Sequence, residues 1–528
     1  MSGTTKRITE QTIRVLYDLA IYNCLHFGTY TQLIYESQGQ TRQYTNIEVA
    51  RESTRLAAGL RKLDIAAGDR VVVMLPNCPE VIIGYQAIAR SGALIIPILP
   101  QLKGPEIHYI VENSRAKAII TNSLLLPLVL SAVKQLPNLQ TIIVSDLAST
   151  DETEQQPQLV AYRDVITMGE KQAGYYLADL PGVLPSENNT AVILYTSGTT
   201  GHPKGVMLSH RNLISNARAG HGIEEAESEN RQLAILPLAH SFGILTSNVA
   251  YLSGATLIMH PRFNPQAVLA SIEQHKITSF AGVPAMFVAL LNTPEAERYD
   301  TSSLRYCVSG SAPLPVSVLE RFQERFHCQI REGYGLSEAG PALSGHAADI
   351  AIKPGTVGKA LPGVELRIVD EADQPVPTSE VGEITARGAN IMQGYYAMPE
   401  ETRTTLRNGW LYTGDMGRLD DEGYLTIVER KKDLIIRGGF NIYPRDVEEV
   451  LDSHPAIIEA AVIGIPSERM GEEVKAIVVA REPVTVESLM AYCQEHLANY
   501  KTPSQIVFVD ALPRNNVGKI DKKILRMS

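Results

Sequence analysis

Residues 191–205 read AVILYTSGTTGHPKG, an apolar stretch that runs into a loop of small and hydroxylated residues. The four apolar residues at 191–194 predict a buried strand. Three glycines in the loop allow backbone conformations and close approaches that a side chain would prevent. Hydroxyl groups and backbone amides in such a loop can donate to phosphate oxygens, and Lys204 adds a positive charge. The register differs from a Walker A loop, because a glycine follows the lysine. A flexible surface loop is the alternative, but it would not require Pro-Lys-Gly directly after a buried strand.

Before this segment the chain alternates strand and helix patterns. Apolar strands are predicted at 70–75, 93–98 and 118–121, and helices at 80–91 and 104–114. Strands that are apolar throughout and separated by helices are typical of a parallel sheet covered on both faces.

After about residue 355 the pattern changes to short strands separated by turn residues, which predicts a small β-barrel-like subdomain at about 355–430. A charged run, Arg430-Lys431-Lys432-Asp433, comes next, and the chain then returns to mixed helices and strands. We therefore predict an α/β protein with a large N-terminal body of parallel sheets, residues 1–431 including the subdomain. A small, mobile α+β C-terminal domain, residues 432–528, follows it.

The composition excludes several classes of protein. The chain has 528 residues, 44% of them hydrophobic and 20% charged, with a formal net charge of −10. These values exclude disordered, collagen-like and disulfide-scaffold chains. The negative charge argues against a general nucleic-acid binder, while a local basic pocket for a phosphorylated ligand stays compatible with it.

The cysteine pattern and the apolar segments indicate the compartment. The five cysteines are widely spaced and form no CxxC pair, so neither a zinc site nor a redox pair is predicted. Residues 1–10 are not followed by the apolar region of a signal peptide. The longest apolar stretch, 124–133, contains a proline and is shorter than the ~20 residues of a membrane span. We expect a soluble, cytoplasmic protein with reduced thiols and no transmembrane segment.

The loop at 195–205 resembles the phosphate loop of the adenylate-forming (AMP-binding) superfamily, which includes acyl-CoA synthetases, aryl-CoA ligases, firefly luciferase and peptide-synthetase adenylation domains. Further segments resemble the other motifs of that family, in the family's order and over nearly the whole chain. They are LPLAHSFG (236–243), VSGSAPL (308–314), REGYGLSE (331–338), YTGD (412–415), GGFNIYP (438–444) and LPRNNVGKI (512–520). Taken alone, these segments have ordinary explanations, such as a histidine in the core, a turn or a basic tail. Their occurrence together in the family's order is specific for the family.

The resemblance implies a set of residues that bind the nucleotide or coenzyme A. In this set Tyr334 would stack on adenine, Asp415 and Arg430 would contact the ribose, and Gly438 and Gly439 would line a channel for a pantetheine arm. The full set is Thr196, Ser197, Gly198, Thr199, Thr200, Gly201, Lys204, Ser311, Ala312, Pro313, Glu332, Gly333, Tyr334, Gly335, Asp415, Arg430, Gly438 and Gly439.

The resemblance also implies the catalytic residues. Lys519 would bridge the carboxylate and the α-phosphate, and Glu338 would hold Mg²⁺, which accepts few carboxylates beside phosphates and water. Ser337 stands where the family usually has threonine and keeps the hydroxyl. His240 completes the catalytic set, and Lys432 is the implied hinge of the C-terminal domain.

The predicted acyl pocket has mostly small or apolar side chains, which favours an uncharged tail. Its residues are His240, Phe242, Val283, Ser309, Gly310 and Leu336. Amino-acid-activating relatives usually carry an aspartate where this chain has His240 and Ser241, so we expect a simple carboxylic acid rather than an α-amino acid.

The predicted enzyme is therefore an acid–thiol ligase that uses ATP, Mg²⁺ and coenzyme A. It would convert a fatty or aryl carboxylic acid to acyl-AMP with release of pyrophosphate, and then transfer the acyl group to the thiol of coenzyme A. A free-standing ligase that loads the phosphopantetheine arm of a separate acyl carrier protein is the alternative. A luciferase-like oxygenase and a binding module without catalysis are more distant alternatives. We expect no nucleic-acid partner, and both a monomer and a homodimer remain open.

Overall fold

The structure is a computed structural model that describes residues 9–37, 39–150, 157–174, 176–177, 180, 185–196, 203–222, 230–467, 469–514 and 519–527. No helix within these ranges is long and apolar enough to cross a membrane. All five cysteines are free thiols.

The strands are β1 (Thr31–Ser37), β2 (Gln40–Thr45), β3 (Arg70–Val73), β4 (Leu94–Pro97), β5 (Ala118–Thr121), β6 (Thr141–Val144), β7 (Gln158–Ala161), β8 (Thr190–Thr196), β9 (Lys204–Ser209), β10 (Arg231–Ala234), β11 (Thr256–Met259), β12 (Ser279–Gly282), β13 (Tyr306–Ser309), β14 (Gln329–Gly335), β15 (Ala342–Gly345), β16 (Lys359–Ala360), β17 (Val364–Val369), β18 (Gly382–Gly388), β19 (Gly394–Tyr395), β20 (Leu406–Arg407), β21 (Trp410–Leu419), β22 (Leu425–Arg430), β23 (Ile435–Arg437), β24 (Phe440–Ile442), β25 (Ile457–Ser467), β26 (Gly471–Ala480) and β27 (Gln505–Phe508).

The α-helices are α1 (Leu16–Phe27), α2 (Asn46–Lys62), α3 (Pro79–Ser91), α4 (Gly104–Asn113), α5 (Leu126–Ala132), α6 (Tyr162–Gly169), α7 (His210–His221), α8 (Ser241–Ser253), α9 (Pro265–His275), α10 (Pro284–Leu291), α11 (Val316–Phe326), α12 (Pro399–Thr405), α13 (Pro444–Asp452), α14 (Val486–His496) and α15 (Lys522–Leu525).

An eight-stranded sheet contains the strand that opens the phosphate loop. Its order is β19-β9-β8-β4-β3-β5-β6-β7, and the strands from β8 to β7 are parallel. Every residue of β5 and β6 is buried, because helices cover both faces of a parallel sheet. The antiparallel hairpin of β8 and β9 brackets the predicted loop and pairs Thr196 with Lys204.

A nine-stranded sheet supplies the other half of the body. Its order is β16-β15-β14-β13-β12-β10-β11-β1-β2, with parallel strands from β14 to β1 and antiparallel strands at both edges. One hydrophobic core contains buried residues of both large sheets, so the two sheets pack as one body. Parallel sheets in a large N-terminal body confirm the predicted fold class.

The β-rich subdomain is a five-stranded antiparallel sheet, ordered β17-β18-β21-β20, with β22 also paired to β21. The small C-terminal domain has its own five-stranded sheet, ordered β24-β23-β26-β25, with β27 parallel to β26. Neighbouring residues of β25 point to opposite faces. Val462 therefore packs in one C-terminal core and Ile463 in another. The boundary at residues 431 and 432 stays a prediction.

Candidate active site

The end of the predicted phosphate loop at Lys204 lies beside a tyrosine from a distant part of the chain. Thr196 ends β8 and Lys204 begins β9, whereas the predicted residues Ser197, Gly198, Thr199, Thr200 and Gly201 lie outside the described residues. The Lys204 ammonium lies 5.0 Å from the centre of the Tyr395 ring, a cation–π contact. The pairing of β19 with β9 produces this contact, which no local sequence pattern indicates.

Glu338 faces the same tyrosine. It follows β14 in a short 3₁₀ turn, Ser337–Ala339, and its Oε1 accepts a 2.9 Å hydrogen bond from the Tyr395 hydroxyl. Lys204, Tyr395 and Glu338 thus form a chain of contacts. A single half-buried carboxylate fits a Mg²⁺ ion that takes its other ligands from phosphates and water. The described residues include no group of three His, Cys, Asp or Glu that could hold a metal by themselves.

Ser337 and His240 both lie at the start of α8. The Ser337 hydroxyl lies 3.3 Å from that of Ser241, the first residue of the helix. The Nδ1 of His240 accepts a 3.3 Å hydrogen bond from the Phe242 amide. Burial, reinforced by the charge of Lys519, lowers the pKa of His240 to about 4. The imidazole is therefore neutral at physiological pH.

Asp415 is the buried centre of the predicted ribose site. Its Oδ2 accepts a 2.6 Å hydrogen bond from the Tyr334 hydroxyl, and its Oδ1 lies 3.4 Å from the Arg430 Nε. Asp415 and Arg430 are paired residues of β21 and β22, so the sheet register brings them together. Burial raises the pKa of Asp415, although Arg430, Tyr334 and Lys519 oppose this shift.

Lys519 reaches this cluster from the C-terminal domain. Burial and the nearby positive charge of Arg430 lower the pKa of the Lys519 ammonium to about 8, against the opposing attraction of Asp415 and Glu338. The structure thus brings the lysine of the last predicted motif into the electrostatic field of carboxylates from two other motifs. In this arrangement the C-terminal domain covers the site in the body.

The predicted adenine side lies on β14 and the loop after β13. Gly335 requires the absence of a side chain, since a Cβ there would lie 2.0 Å from the Pro341 carbonyl oxygen. Ser311 has a φ of 70°, an uncommon conformation for a non-glycine residue, and Ala312 and Pro313 follow it towards the surface. Gly333 packs against β15.

Glu332 is a buried acceptor on the same strand. It is 5% exposed, and its Oε1 has no hydrogen-bond partner among the described residues. Burial raises the pKa of Glu332 to about 7, although the positive charge of Arg445 works in the other direction. A donor group of a ligand, such as an exocyclic amine, could satisfy this oxygen.

An apolar cavity of about 70 Å³ runs beneath the nine-stranded sheet, between α8 and the strands β10, β12 and β13. Of the predicted acyl-pocket residues only Phe242 lines it; the other five, which do not, are His240, Val283, Ser309, Gly310 and Leu336. A Cβ on Gly310 would lie 3.1 Å from the Phe242 ring, so this ring separates the strand ends from the cavity. The predicted residues Val283, Ser309 and Gly310 stand at or just after the ends of β12 and β13, whereas the cavity extends back along these strands.

The cavity has a defined far end. Phe242 and Val249 both line it from α8 and lie seven residues apart, about 10 Å along a helix. Gly220 of α7 closes the cavity beside Val249, and Gln232 and Ser279 lie at a paired position of the strand wall. Among the residues that the structure describes, the lining contains no charged side chain.

The predicted pantetheine glycines lie outside this cluster, whereas the predicted hinge residue Lys432 stands at its edge, where its charge acts on Asp415. Lys432 is an exposed residue of the 3₁₀ turn Lys431–Asp433, and Lys431 pairs with Glu383 of the body at 2.9 Å. Gly438 and Gly439 form the exposed tip between β23 and β24, with positive φ values of 57° and 84°. The nearest side chain to Gly438 is that of Met470, which belongs to the C-terminal domain itself.

Comparison with known proteins identifies the family to which the chain belongs. Residues 23–396 match the model described as AMP-binding enzyme, and residues 446–519 match that of the AMP-binding enzyme C-terminal domain. A long-chain-fatty-acid–CoA ligase of Bacillus subtilis is 37% identical over 503 residues, which cover 92% of this chain and 90% of the relative.

Two solved structures are similar in fold over nearly their whole length. ATP-bound MatB from Rhodopseudomonas palustris has a TM-score of 0.85 and 29% identity, with 97% of this chain and 98% of the other covered. An anthranilate CoA ligase in complex with anthranoyl-AMP has a TM-score of 0.87 and 28% identity, with 98% of each chain covered. The protein described above is thus a member of the AMP-binding enzyme family.

Proposed function

We propose that this AMP-forming acid–thiol ligase activates an uncharged fatty or aryl carboxylic acid in two steps. The acid first forms acyl-AMP with release of pyrophosphate, and the acyl group then passes to the thiol of coenzyme A. The observation that carries the proposal is the placement of Lys519, from the C-terminal domain, among Asp415, Glu338 and Arg430 of the body. The names of the similar proteins, which include a fatty-acid ligase and an aryl ligase, agree with this activity.

The first step requires two anions to meet, because a carboxylate attacks the α-phosphate of ATP. Catalysis then consists mainly of positioning and of spreading negative charge. Lys519 would bridge the carboxylate and the α-phosphate, while Lys204 and the loop it closes would hold the departing pyrophosphate. Mg²⁺ bound at Glu338 would neutralise part of the triphosphate charge. Ser337, near the start of α8, would donate to the α-phosphate.

The nucleotide would be held by groups that already lie together. Asp415, as a carboxylate, can accept from both ribose hydroxyls, in exchange for the bond it now accepts from Tyr334. The Tyr334 ring would stack on adenine, and the unpaired oxygen of Glu332 would accept from the adenine amine. The exchange at Asp415 replaces a protein–protein contact by protein–ligand contacts of the same chemistry, and the contact at Glu332 pairs an oxygen that has no partner among the described residues.

The acyl tail would occupy the cavity behind Phe242. Its lining, as far as the described residues form it, is mostly apolar and has no charged side chain, so these residues offer no counter-ion to a second carboxylate or an ammonium on the tail. The neutral state of His240 at the entrance fits an uncharged tail as well. The finite length of the cavity favours a tail of moderate length or an aromatic ring system.

The second step needs a different arrangement of the C-terminal domain. In the present arrangement of the C-terminal domain, Lys519 lies in the proposed reaction centre, while Gly438 and Gly439 lie at an exposed tip. A rotation about Lys432 would withdraw Lys519 and present the two glycines, where a backbone without side chains leaves room for a pantetheine arm. The same channel would accept the arm of an acyl carrier protein.

The experiment is a screen of carboxylic acids for pyrophosphate release and for hydroxamate formation with the purified protein and ATP. Acids that react are then offered coenzyme A and a holo acyl carrier protein, and the products are identified by mass spectrometry. We expect acyl-CoA from one class of uncharged acids. Loading of the carrier protein alone would favour the alternative acceptor, and no pyrophosphate release with any acid would refute the proposal.

A further inference from the structure

A buried cluster of charged side chains joins the C-terminal domain to the last strand of the body. The ammonium of Lys522 lies 2.8 Å from Glu448 Oε1 and 3.6 Å from Glu429 Oε2. Lys522 and Glu448 belong to the C-terminal domain, whereas Glu429 belongs to β22 of the body. The three side chains are only 17%, 19% and 10% exposed, in the order Lys522, Glu448 and Glu429. One ammonium is thus shared by a carboxylate from each domain.

A second contact joins the same two partners nearby. The guanidinium of Arg445, in the first turn of α13, donates a 2.6 Å hydrogen bond to the carbonyl oxygen of Ile427 in β22. Its Nε is held by Glu449 at 2.8 Å. The C-terminal domain is therefore fixed at two points on one short strand, which ends at Arg430 of the site.

The chain between Lys519 and Lys522 is short and well fixed. Ile520 forms a β-bridge with Arg514, and the side chain of Asp521 accepts hydrogen bonds from the amides of Lys523 and Ile524 at the start of α15. Lys522 is the first residue of that helix. The position of Lys522 on the body therefore determines where Lys519, three residues earlier, can lie.

We propose that Lys522 and Glu429 are positioning residues that hold Lys519 in the reaction centre for acyl-AMP formation, and that their contact breaks when the C-terminal domain moves for thioester formation. This inference rests on the proposed two-step function. Neither residue touches the reacting atoms, and both act through the placement of Lys519.

The electrostatics of the cluster suit a contact that must form and break. Burial alone would lower the pKa of Lys522, but the attraction of Glu448 and Glu429 outweighs it and raises that pKa. When the C-terminal domain turns, Lys522 and Glu448 move together, so Lys522 loses only its longer contact, to Glu429, while the hydrogen bond of Arg445 to Ile427 breaks with it. Water can then solvate Glu429, whose burial raises its pKa in the closed arrangement. Opening therefore leaves each of these charges with either an oppositely charged partner or water, which avoids the cost of an unpaired buried charge.

The test compares both half-reactions in four variants. Lys522→Met and Glu429→Gln remove one charge from each side of the interface, Lys522→Arg keeps the charge, and Lys523→Met is the matched control at the exposed neighbouring lysine. We expect about tenfold slower ATP–pyrophosphate exchange in the first two variants. The KM for the acid and the rate of acyl-CoA formation from supplied acyl-AMP should not change. Lys522→Arg should restore exchange, and Lys523→Met should behave as the unmodified protein.

Hydrogen exchange gives a second measure that does not depend on activity. Backbone amides of residues 519–527 should exchange faster in Lys522→Met and also in Glu429→Gln, although Glu429 lies in the other domain. Equal loss of both half-reactions, or unchanged exchange of this segment in Glu429→Gln, would overturn the inference. Absence of pyrophosphate exchange in the unmodified protein with every acid would instead refute the proposed function, and the hydrogen-exchange comparison would still decide the domain contact.

Discussion

Replacement of Asp415 by asparagine tests the proposed nucleotide site with almost no change of shape. The side chain is buried and meets both Tyr334 and Arg430, and an asparagine oxygen can still accept from the tyrosine hydroxyl. What disappears is the negative charge. A hydrogen bond to a charged group contributes ~1.5–3 kcal/mol and one between neutral groups ~0.5–1.5 kcal/mol, so each ribose hydroxyl should lose about 1 kcal/mol. Two hydroxyls together correspond to roughly a 30-fold loss of kcat/KM for ATP.

The assay is ATP–pyrophosphate exchange with ATP and with 2′-deoxy-ATP. The unmodified enzyme should prefer ATP clearly, and Asp415→Asn should lose most of that preference because the 2′-hydroxyl no longer meets a carboxylate. Asp421→Asn, in an exposed turn of the same subdomain, is the matched control and should keep the preference. If Asp415→Asn slowed both nucleotides by the same factor, Asp415 would not contact the 2′-hydroxyl, and its assignment to both ribose hydroxyls would be refuted.

Four further predictions follow from the same geometry. Lys519→Ala should greatly slow acyl-AMP formation yet spare thioester formation from supplied acyl-AMP; equal loss in both steps would contradict its assigned role. Because burial lowers the pKa of Lys519 to about 8, kcat/KM for ATP should fall as the pH rises through that value and the ammonium loses its proton, and a profile that stays flat would argue against a charged lysine. Gly220→Ala would place a methyl group 3.2 Å from Val249 at the far end of the cavity, so the longest accepted acid should lose kcat/KM and short acids should not; equal loss for all acids would exclude the cavity as the acyl site. Lys432→Pro should retain adenylation and lose thioester formation, and an unchanged thioester yield would remove the hinge assignment.

Much of the fold could be predicted from local sequence signals, because the ends of helices and strands depend on residues that are close together in the chain. The helix expected at 80–91 is α3, which begins at Pro79 and ends before Gly92 in a left-handed conformation, the two signals that favour such ends. The strand expected at 118–121 is β5 with the same bounds. Buried strands of a parallel sheet lack alternation, so their apolar runs were sufficient to indicate them.

The contacts that build the site could not be predicted from such signals. Tyr395 reaches Lys204 only because β19 pairs with β9 across almost two hundred residues of chain. The cavity wall combines Gln232 and Ser279, which meet because β10 and β12 are neighbours although β11 lies between them in sequence. A pattern along the chain carries no information about this strand order, so it did not indicate that the strand residues Gln232 and Ser279 line one cavity.

The contacts at the domain interface could not be predicted from the sequence either. The sequence places Lys522 in a basic tail near Lys523 and Arg526, a run typical of a solvated surface. The structure distinguishes the neighbours, since Lys522 is enclosed by two carboxylates whereas Lys523 is exposed. The fold of the C-terminal domain brings Glu448 to Lys522, and the docking of that domain on the body adds Glu429.

The central claim is that the carboxylate of the acid attacks the α-phosphate of ATP and that a thiol then displaces AMP. The most direct measurement uses an accepted acid labelled with ¹⁸O in both carboxylate oxygens, together with ATP and coenzyme A, and analyses the products by mass spectrometry. Attack on the α-phosphate leaves one labelled oxygen in AMP and the other in the acyl-CoA, with none in pyrophosphate. Unlabelled AMP, or label released in inorganic phosphate together with ADP, would contradict the account.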